Sequence, residues 1–166
     1  MDIDNIFSSL IKEMGYQNNK TVMINKVVMN SKEVEKNNLF VAIRGGNAYA
    51  NEALEKGAFV IYDDNTINLN SNPNSFLVDD SVKFMQELAH EWRNVLNIKI
   101  IGITGSNGKT TVKDMVFQLL STKYNGKKTE GNYNNHVGLP FTLLRSEKND
   151  DFMVLEMGMS DFGEIE

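Results

Sequence analysis

The stretch Ile100-Ile101-Gly102-Ile103-Thr104-Gly105-Ser106-Asn107-Gly108-Lys109-Thr110-Thr111 constrains the fold of this chain more than any other. An apolar run breaks into a turn of small residues and then into Gly-Lys-Thr, and Val112, Met115, Val116, Leu119 and Leu120 follow at helical spacing. That order predicts a strand, a tight loop and an amphipathic helix, the βα unit of a parallel sheet. Small residues let backbone N–H groups converge on phosphate oxygens, and the N-terminus of the next helix adds favourable partial charge. Residues Gly105, Ser106, Asn107, Gly108 and Thr111 are therefore expected to cradle a nucleotide, with Lys109 reaching the β- and γ-phosphates and the Thr110 hydroxyl offered to Mg²⁺. The match is partial, because the full pattern wants glycine five places before Gly108, where Ile103 stands. A plain glycine turn with a solvated Lys109 is the competing interpretation; the strand before the loop and the helix after it weigh against that.

Phe152-Met153-Val154-Leu155-Glu156 reads as a buried strand ending in a carboxylate. Open α/β sheets bind ligands at the carboxyl ends of their strands, and hard Mg²⁺ wants carboxylate oxygens. Glu156 is thus the expected partner of Thr110 in holding metal, and ATP with Mg²⁺ are the expected cofactors. The loop from Gly131 to Gly138 contains Asn134 and Asn135, but asparagine and glycine are explained by a turn as readily as by a ligand.

The formal net charge is −5, which gives no reason to invoke nucleic acid or an anionic membrane. Cysteine is absent, so a thiolate nucleophile, a disulfide framework and Cys-ligated zinc are excluded. The acidic start Met1-Asp2-Ile3-Asp4 lacks the pattern of a signal peptide, and no apolar run reaches membrane-spanning length, so a cytoplasmic setting is expected. The two histidines, His90 on a helix and His136 in the Asn-rich loop, receive no role.

Strand and helix patterns alternate along the chain, as in parallel sheets with helical crossovers. Helices are expected at 4–14, 50–56 and 82–95, and strands at 22–29, 39–43, 58–62 and 76–78. Gly15 and Gly57 serve as helix stops, and the Asn- and Asp-rich segment 63–74 reads as a surface loop. A linker at Asn97-Ile98 divides a first domain, 1–96, from a second, 97–166.

The run from Thr104 to Lys113 resembles the ATP loop of the Mur ligases of peptidoglycan synthesis, and its Ser106-Asn107 and Val112-Lys113 choices are most similar to the D-alanyl-D-alanine-adding branch. Thr129-Glu130-Gly131-Asn132-Tyr133-Asn134-Asn135-His136-Val137-Gly138-Leu139-Pro140 resembles that branch's substrate and nucleotide loop between a strand and a helix. The segment 152–160, followed by Gly163-Glu164-Ile165, resembles the strand whose glutamate, here Glu156, helps hold Mg²⁺. In the first domain, Asn30-Ser31-Lys32 and Asn38-Leu39-Phe40-Val41-Ala42 are similar to the Asp-Ser-Arg and Gly-Asp-Leu-Phe-x-Ala pattern of the uridine-nucleotide domain. Asn30 and Lys32 depart from that pattern, and Lys32 lacks the bidentate fork of arginine. A short Arg44-Gly45-Gly46-Asn47 turn replaces a longer loop.

The resemblance implies an α/β chain: a uridine-binding domain followed by the start of a phosphate-loop, parallel-sheet ATP domain. It implies ATP-dependent ligation of UDP-N-acetylmuramoyl-tripeptide to D-alanyl-D-alanine, with Ser31, Asn134 and Asn135 binding substrate and Lys109 and Glu156 acting in catalysis. It also implies that a helix after the Glu156 strand begins about where the chain stops, at Glu166, and that the family's central domain continues beyond that point. The segment is then expected to be inactive alone and to self-associate through an open strand edge. A sister ligase adding a single amino acid, a folylpolyglutamate synthase, an unrelated phosphate-loop NTPase and a non-catalytic nucleotide module remain the alternatives.

Overall fold

In the computed structural model, which describes residues 2–17, 21–69 and 71–158, the chain forms two compact units, residues 1–92 and 93–166. The helix onset expected at Glu166 lies outside the described residues. The first unit contains helix α1 (Ile3–Glu13), strands β1 (Lys26–Val28) and β2 (Asn38–Val41), helix α2 (Ala50–Glu55), strands β3 (Phe59–Tyr62) and β4 (Ser75–Leu77), and helix α3 (Ser81–Val95), whose last turn passes into the second unit. Its four strands pair in parallel in chain order, with Val27 beside Leu39, Phe40 beside Val60 and Ile61 beside Phe76.

Every residue of β2 and β3 is buried, as expected for parallel strands covered on both faces. Val28, Phe40, Val60 and Tyr62 pack with Ala50, Ala53 and Leu69 on one side of the sheet. On the other, the Phe7 ring of α1 meets Phe76 edge-on at 5.4 Å and Phe84 of α3 at 5.9 Å. Gly57, at φ +81, ends α2: its N–H donates to the Leu54 carbonyl and that of Ala58 to the Ala53 carbonyl.

Two loops differ from expectation. Strand pairing is confined to Lys26–Val28 rather than 22–29, because the preceding backbone bonds elsewhere: the Ile24 N–H donates to Asp4 Oδ1 and the Asn25 N–H to the Asn37 carbonyl. The Arg44–Tyr49 turn is a 3-10 helix that a side-chain clamp holds in place. Asn47 donates to Asp63 Oδ1 at 2.7 Å and accepts from the Asp63 N–H, while Asp63 Oδ2 accepts from the Ser81 N–H at the start of α3.

The second unit is built from β5 (Lys99–Ile103), α4 (Lys109–Ser121), β6 (Gly126–Lys128), α5 (Gly138–Leu144) and β7 (Phe152–Glu156), with parallel strand order β5-β7-β6. β7 is central and buried throughout, whereas the edge strand β5 is only half-buried. The apolar stripe expected to bury α4 does so only in part, through the half-buried Val116 and Leu120. Val112, Met115 and Leu119 are exposed, the last two at 65% and 72%, while Lys113 is buried at 3%. The helix is rolled so that Lys113 and Phe117 face the sheet, with the Phe117 ring 5.9 Å from that of Phe152. Among the described residues no helix is long and apolar enough to cross a membrane.

β4 is a sheet edge closed by a side chain. The Tyr16 hydroxyl donates to the Leu77 carbonyl at 2.8 Å and accepts from the Leu77 N–H at 2.7 Å, satisfying both backbone groups of one residue. Replacing Tyr16 with Phe should therefore lower unfolding stability by about 1–2 kcal/mol, measured as a reduced urea midpoint with an unchanged slope.

Candidate functional site

The site forms where β5 and β7 end side by side. Register pairs Ile103 with Glu156, and the Met157 N–H extends the ladder by donating to the Ile103 carbonyl at 2.8 Å. The loop that leaves β5 therefore starts beside the carboxylate that ends β7. Residues 104–108 are exposed, and the loop closes on Gly108 at φ +77 before α4 begins. Gly105 sits at φ +143, a second position that L side chains rarely adopt. No heavy atom lies within 4 Å of a Cβ built on Gly108, so the space beside this glycine, just ahead of the helix N-terminus, is open. Within the loop the Lys109 ammonium donates to the Gly105 carbonyl at 2.7 Å, an exposed contact.

Glu156 is 4% exposed and is held on every side. Thr110 Oγ1 donates to its Oε2 at 2.9 Å, Asn134 Nδ2 donates to its Oε1 at 3.0 Å, and Lys113 Nζ lies 3.5 Å from Oε2. Its backbone N–H donates to the fully buried Thr129 hydroxyl at 2.9 Å. Burial by itself would push the carboxyl up, but the hydrogen bonds from Asn134 and Thr110 and the Lys113 charge outweigh it and hold Glu156 below the usual glutamate range.

The Asn-rich loop is built to present Asn134. The Gly158 N–H donates to the Asn134 carbonyl at 2.7 Å. A Cβ on Gly138 would lie 2.3 Å from the Tyr133 Cα, so only glycine permits this crossing of loop and α5. Asn135, expected beside Asn134 at the ligand, faces α5 instead: its Oδ1 accepts from the Val137 and Gly138 N–H groups. Glu130 pairs with Arg145, the residue that caps the end of α5, at 2.6 Å and anchors the other end of the loop.

Gly105, Ser106, Asn107, Gly108, Lys109, Thr110, Thr111, Asn134 and Glu156 thus gather at one end of the second sheet. Ser31 belongs to the first unit, in a 3-10 turn after β1 where Asn30 Oδ1 accepts from the Lys32 N–H and Lys56 Nζ donates to the Ser31 carbonyl. Sequence reasoning assigned no role to Lys113 or Thr129. Lys113 follows Thr110 by three positions and Lys109 by four, so helical spacing already put it on the loop-facing side; Thr129 carried no comparable signal.

A parallel sheet whose glycine loop opens a helix beside a strand-end carboxylate defines the phosphate-loop class of α/β proteins. Within that class the comparisons are specific. Residues 103–166 match the Mur ligase middle domain. The chain is 42% identical over 149 residues to the UDP-N-acetylmuramoyl-tripeptide--D-alanyl-D-alanine ligase of Bacillus subtilis (strain 168), covering 87% of this chain and 33% of that protein. It is 37% identical to the ligase of the same name from Synechocystis sp., with the same coverage. Among solved structures, the Thermotoga maritima MurF ligase in complex with ADP superposes with a TM-score of 0.75 at 38% identity, over 88% of this chain and 35% of that one. The chain belongs to the Mur ligase family, and it spans about a third of the length of the curated relatives it matches.

The lowered Glu156 sets a sign for pH dependence. A carboxyl whose folded pKa lies below its unfolded value adds stability above the unfolded value, about 4.3 for glutamate, and loses it as pH falls through the folded one. The stability difference between the wild type and Glu156→Gln should be largest near neutral pH and shrink as the solution is acidified below that range, measured by chemical denaturation at a series of pH values.

Proposed function

We propose that this chain carries the uridine-substrate unit and the opening part of the ATP unit of an ATP-dependent amide ligase, which joins UDP-N-acetylmuramoyl-tripeptide to D-alanyl-D-alanine in the cytoplasm. The observation that carries the reading is the convergence of the 104–108 loop, Thr110 and Glu156 at one strand end. The relatives' names, and the ADP bound by the Thermotoga maritima protein, support it. On the same reading the functional division of the chain falls near 96, and Ser31 in the first unit contacts the uridine-linked substrate.

In this reading the N–H groups of the loop and the Lys109 ammonium neutralise the β- and γ-phosphates. The substrate carboxylate oxygen attacks the γ-phosphorus and ADP leaves, giving an acyl phosphate. The amine nitrogen of the dipeptide then attacks the acyl carbon, inorganic phosphate leaves, and the amine gives up its proton. This chemistry needs positioning and charge neutralisation, not a side-chain nucleophile. Thr110 and Glu156 fit Mg²⁺ by donor chemistry, a hydroxyl and a carboxylate of hard oxygens that meet at 2.9 Å. Mg²⁺ held there would supply charge stabilisation for the phosphate oxygens. Asn134 keeps Glu156 oriented and stands at the edge of the substrate loop. Nucleotide binding without ligation is the activity we assign to these 166 residues by themselves.

The test is ADP release by the full gene product from Mg-ATP and UDP-N-acetylmuramoyl-tripeptide, with and without D-alanyl-D-alanine. Release that depends on the dipeptide is expected; release without it, or with a single amino acid instead, would reassign the protein to an NTPase or a sister ligase. Lys109→Ala should retain the native circular dichroism spectrum and lose at least about tenfold in Mg-ATP affinity, and unchanged affinity in a folded variant would overturn the loop assignment.

A further inference from the structure

Lys113 is a lysine whose side chain is as buried as the carboxylate it faces, 4% against 6% exposed. Its Nζ lies 3.5 Å from Glu156 Oε2 and 3.7 Å from Asp114 Oδ1. Asp114 has a second cation, Lys128 at 2.8 Å, and its side chain is 41% exposed. Inside the protein, then, the charge that answers Lys113 is Glu156. Taking an ammonium out of water is costly unless its partner is well placed, and α4 turns this residue inward while leaving Val112, Met115 and Leu119 outside. The burial is not explained by apolar packing.

The arrangement has an electrostatic consequence. Glu156 and Lys113 together bring no net charge to the end of β7. Among the described residues no cluster of three or more acidic or histidine side chains is placed to hold a metal ion. Thr110 and Glu156 offer two kinds of oxygen, and Mg²⁺ completes its shell with water and phosphate oxygens when protein oxygens are few. A bare divalent ion therefore meets a neutral pair, whereas one already bound to triphosphate arrives with most of its charge compensated and its ligands supplied.

We infer that Lys113 is a positioning residue that supplies the internal counter-charge aiming Glu156 at the loop and, by cancelling that charge, makes divalent-ion binding conditional on nucleotide. The inference rests on the metal–nucleotide reading above and deepens it, because it assigns the ordering of ligands to one side chain. Asn134 and Thr110 fix the carboxylate oxygens by hydrogen bonds; Lys113 sets what the pair looks like to an incoming cation.

The test uses Mn²⁺ as probe on the nucleotide-free chain, reading the electron paramagnetic resonance signal of unbound Mn²⁺ and the thermal midpoint with and without the ion. Wild type and Lys113→Arg, which keeps the charge, should take up no Mn²⁺ at millimolar concentration and show an unmoved midpoint. Lys113→Met should bind Mn²⁺ at least about tenfold more tightly, as expected when an attractive charge a few ångströms away is uncovered, and its midpoint should rise with the ion. The double variant Lys113→Met/Glu156→Gln, which removes both charges, should be indifferent again. If Lys113→Met is unfolded without metal, Mn²⁺ should refold it where NaCl of equal ionic strength does not. A Lys113→Met protein no more responsive than wild type, or a wild type that binds Mn²⁺ tightly without nucleotide, overturns the inference. A parallel titration with ADP in the presence of Mn²⁺ separates the two claims: binding with an unresponsive Lys113→Met sinks only the role of Lys113, whereas absence of binding to folded wild type sinks the nucleotide reading itself.

Discussion

The parallel pairing of β5 with β7 in the register that sets Ile103 opposite Glu156 is the interaction on which the site depends. A slip of one residue would turn Glu156 to the other face of the sheet and away from Thr110. The register is protected on both sides of the carboxylate. Thr129 at the end of β6 receives the Glu156 N–H, and its own N–H donates to the Val154 carbonyl, so β6 and β7 stay locked to the last residue. On the β5 side, a Cβ on Gly102 would come within 3.0 Å of the Met157 Cε, so the small residue lets the chain beyond β7 pack against β5.

The two units solve the same problem, the end of a parallel strand, with opposite chemistry. In the first unit the Asn47–Asp63–Ser81 network consumes polar groups at the end of β3 and satisfies the start of α3. Such a closed network rigidifies a loop and leaves little capacity for exchange with a ligand. In the second unit residues 104–108 are exposed, and Lys109 bonds a loop carbonyl, that of Gly105. Glu156 and Lys113 are buried beneath that loop as a pair whose desolvation is offset by hydrogen bonds from Thr110 and Asn134. Hydrogen bonds are concentrated around the carboxylate, and the 104–108 loop is left exposed.

Legibility in the sequence followed the strength of the local signal. α1, α2 and α3 were readable because apolar residues recur at helical spacing and Gly15 and Gly57 mark two of the ends. β2, β3 and β7 were readable because buried parallel strands are continuous apolar runs. β6 had no such signal: Gly126-Lys127-Lys128 is a strand because it aligns with Phe152–Val154, and Gly126 is required there because a Cβ would meet the Phe152 ring at 2.5 Å. The face of α4 was misjudged for a related reason. Periodicity identifies a stripe, but which side meets the sheet is settled by the groups waiting there, and Glu156 draws Lys113 inward.

The sequence by itself determined the βα unit around Gly105 and Gly108, the apolar strand ending in Glu156 and the family to which both belong, because each is written in contiguous residues whose chemistry is local. Tertiary structure alone decided that Asn134 and Asn135, adjacent in the chain, do different work, one on the carboxylate and the other on the first turn of α5. It alone decided that Thr129 belongs to the site and that Lys113, on the loop-facing side of α4 by its spacing, is buried against Glu156. Those assignments depend on a buried charge far along the chain, and the long-range electrostatics of a carboxylate removed from water cannot be read from the residues beside it.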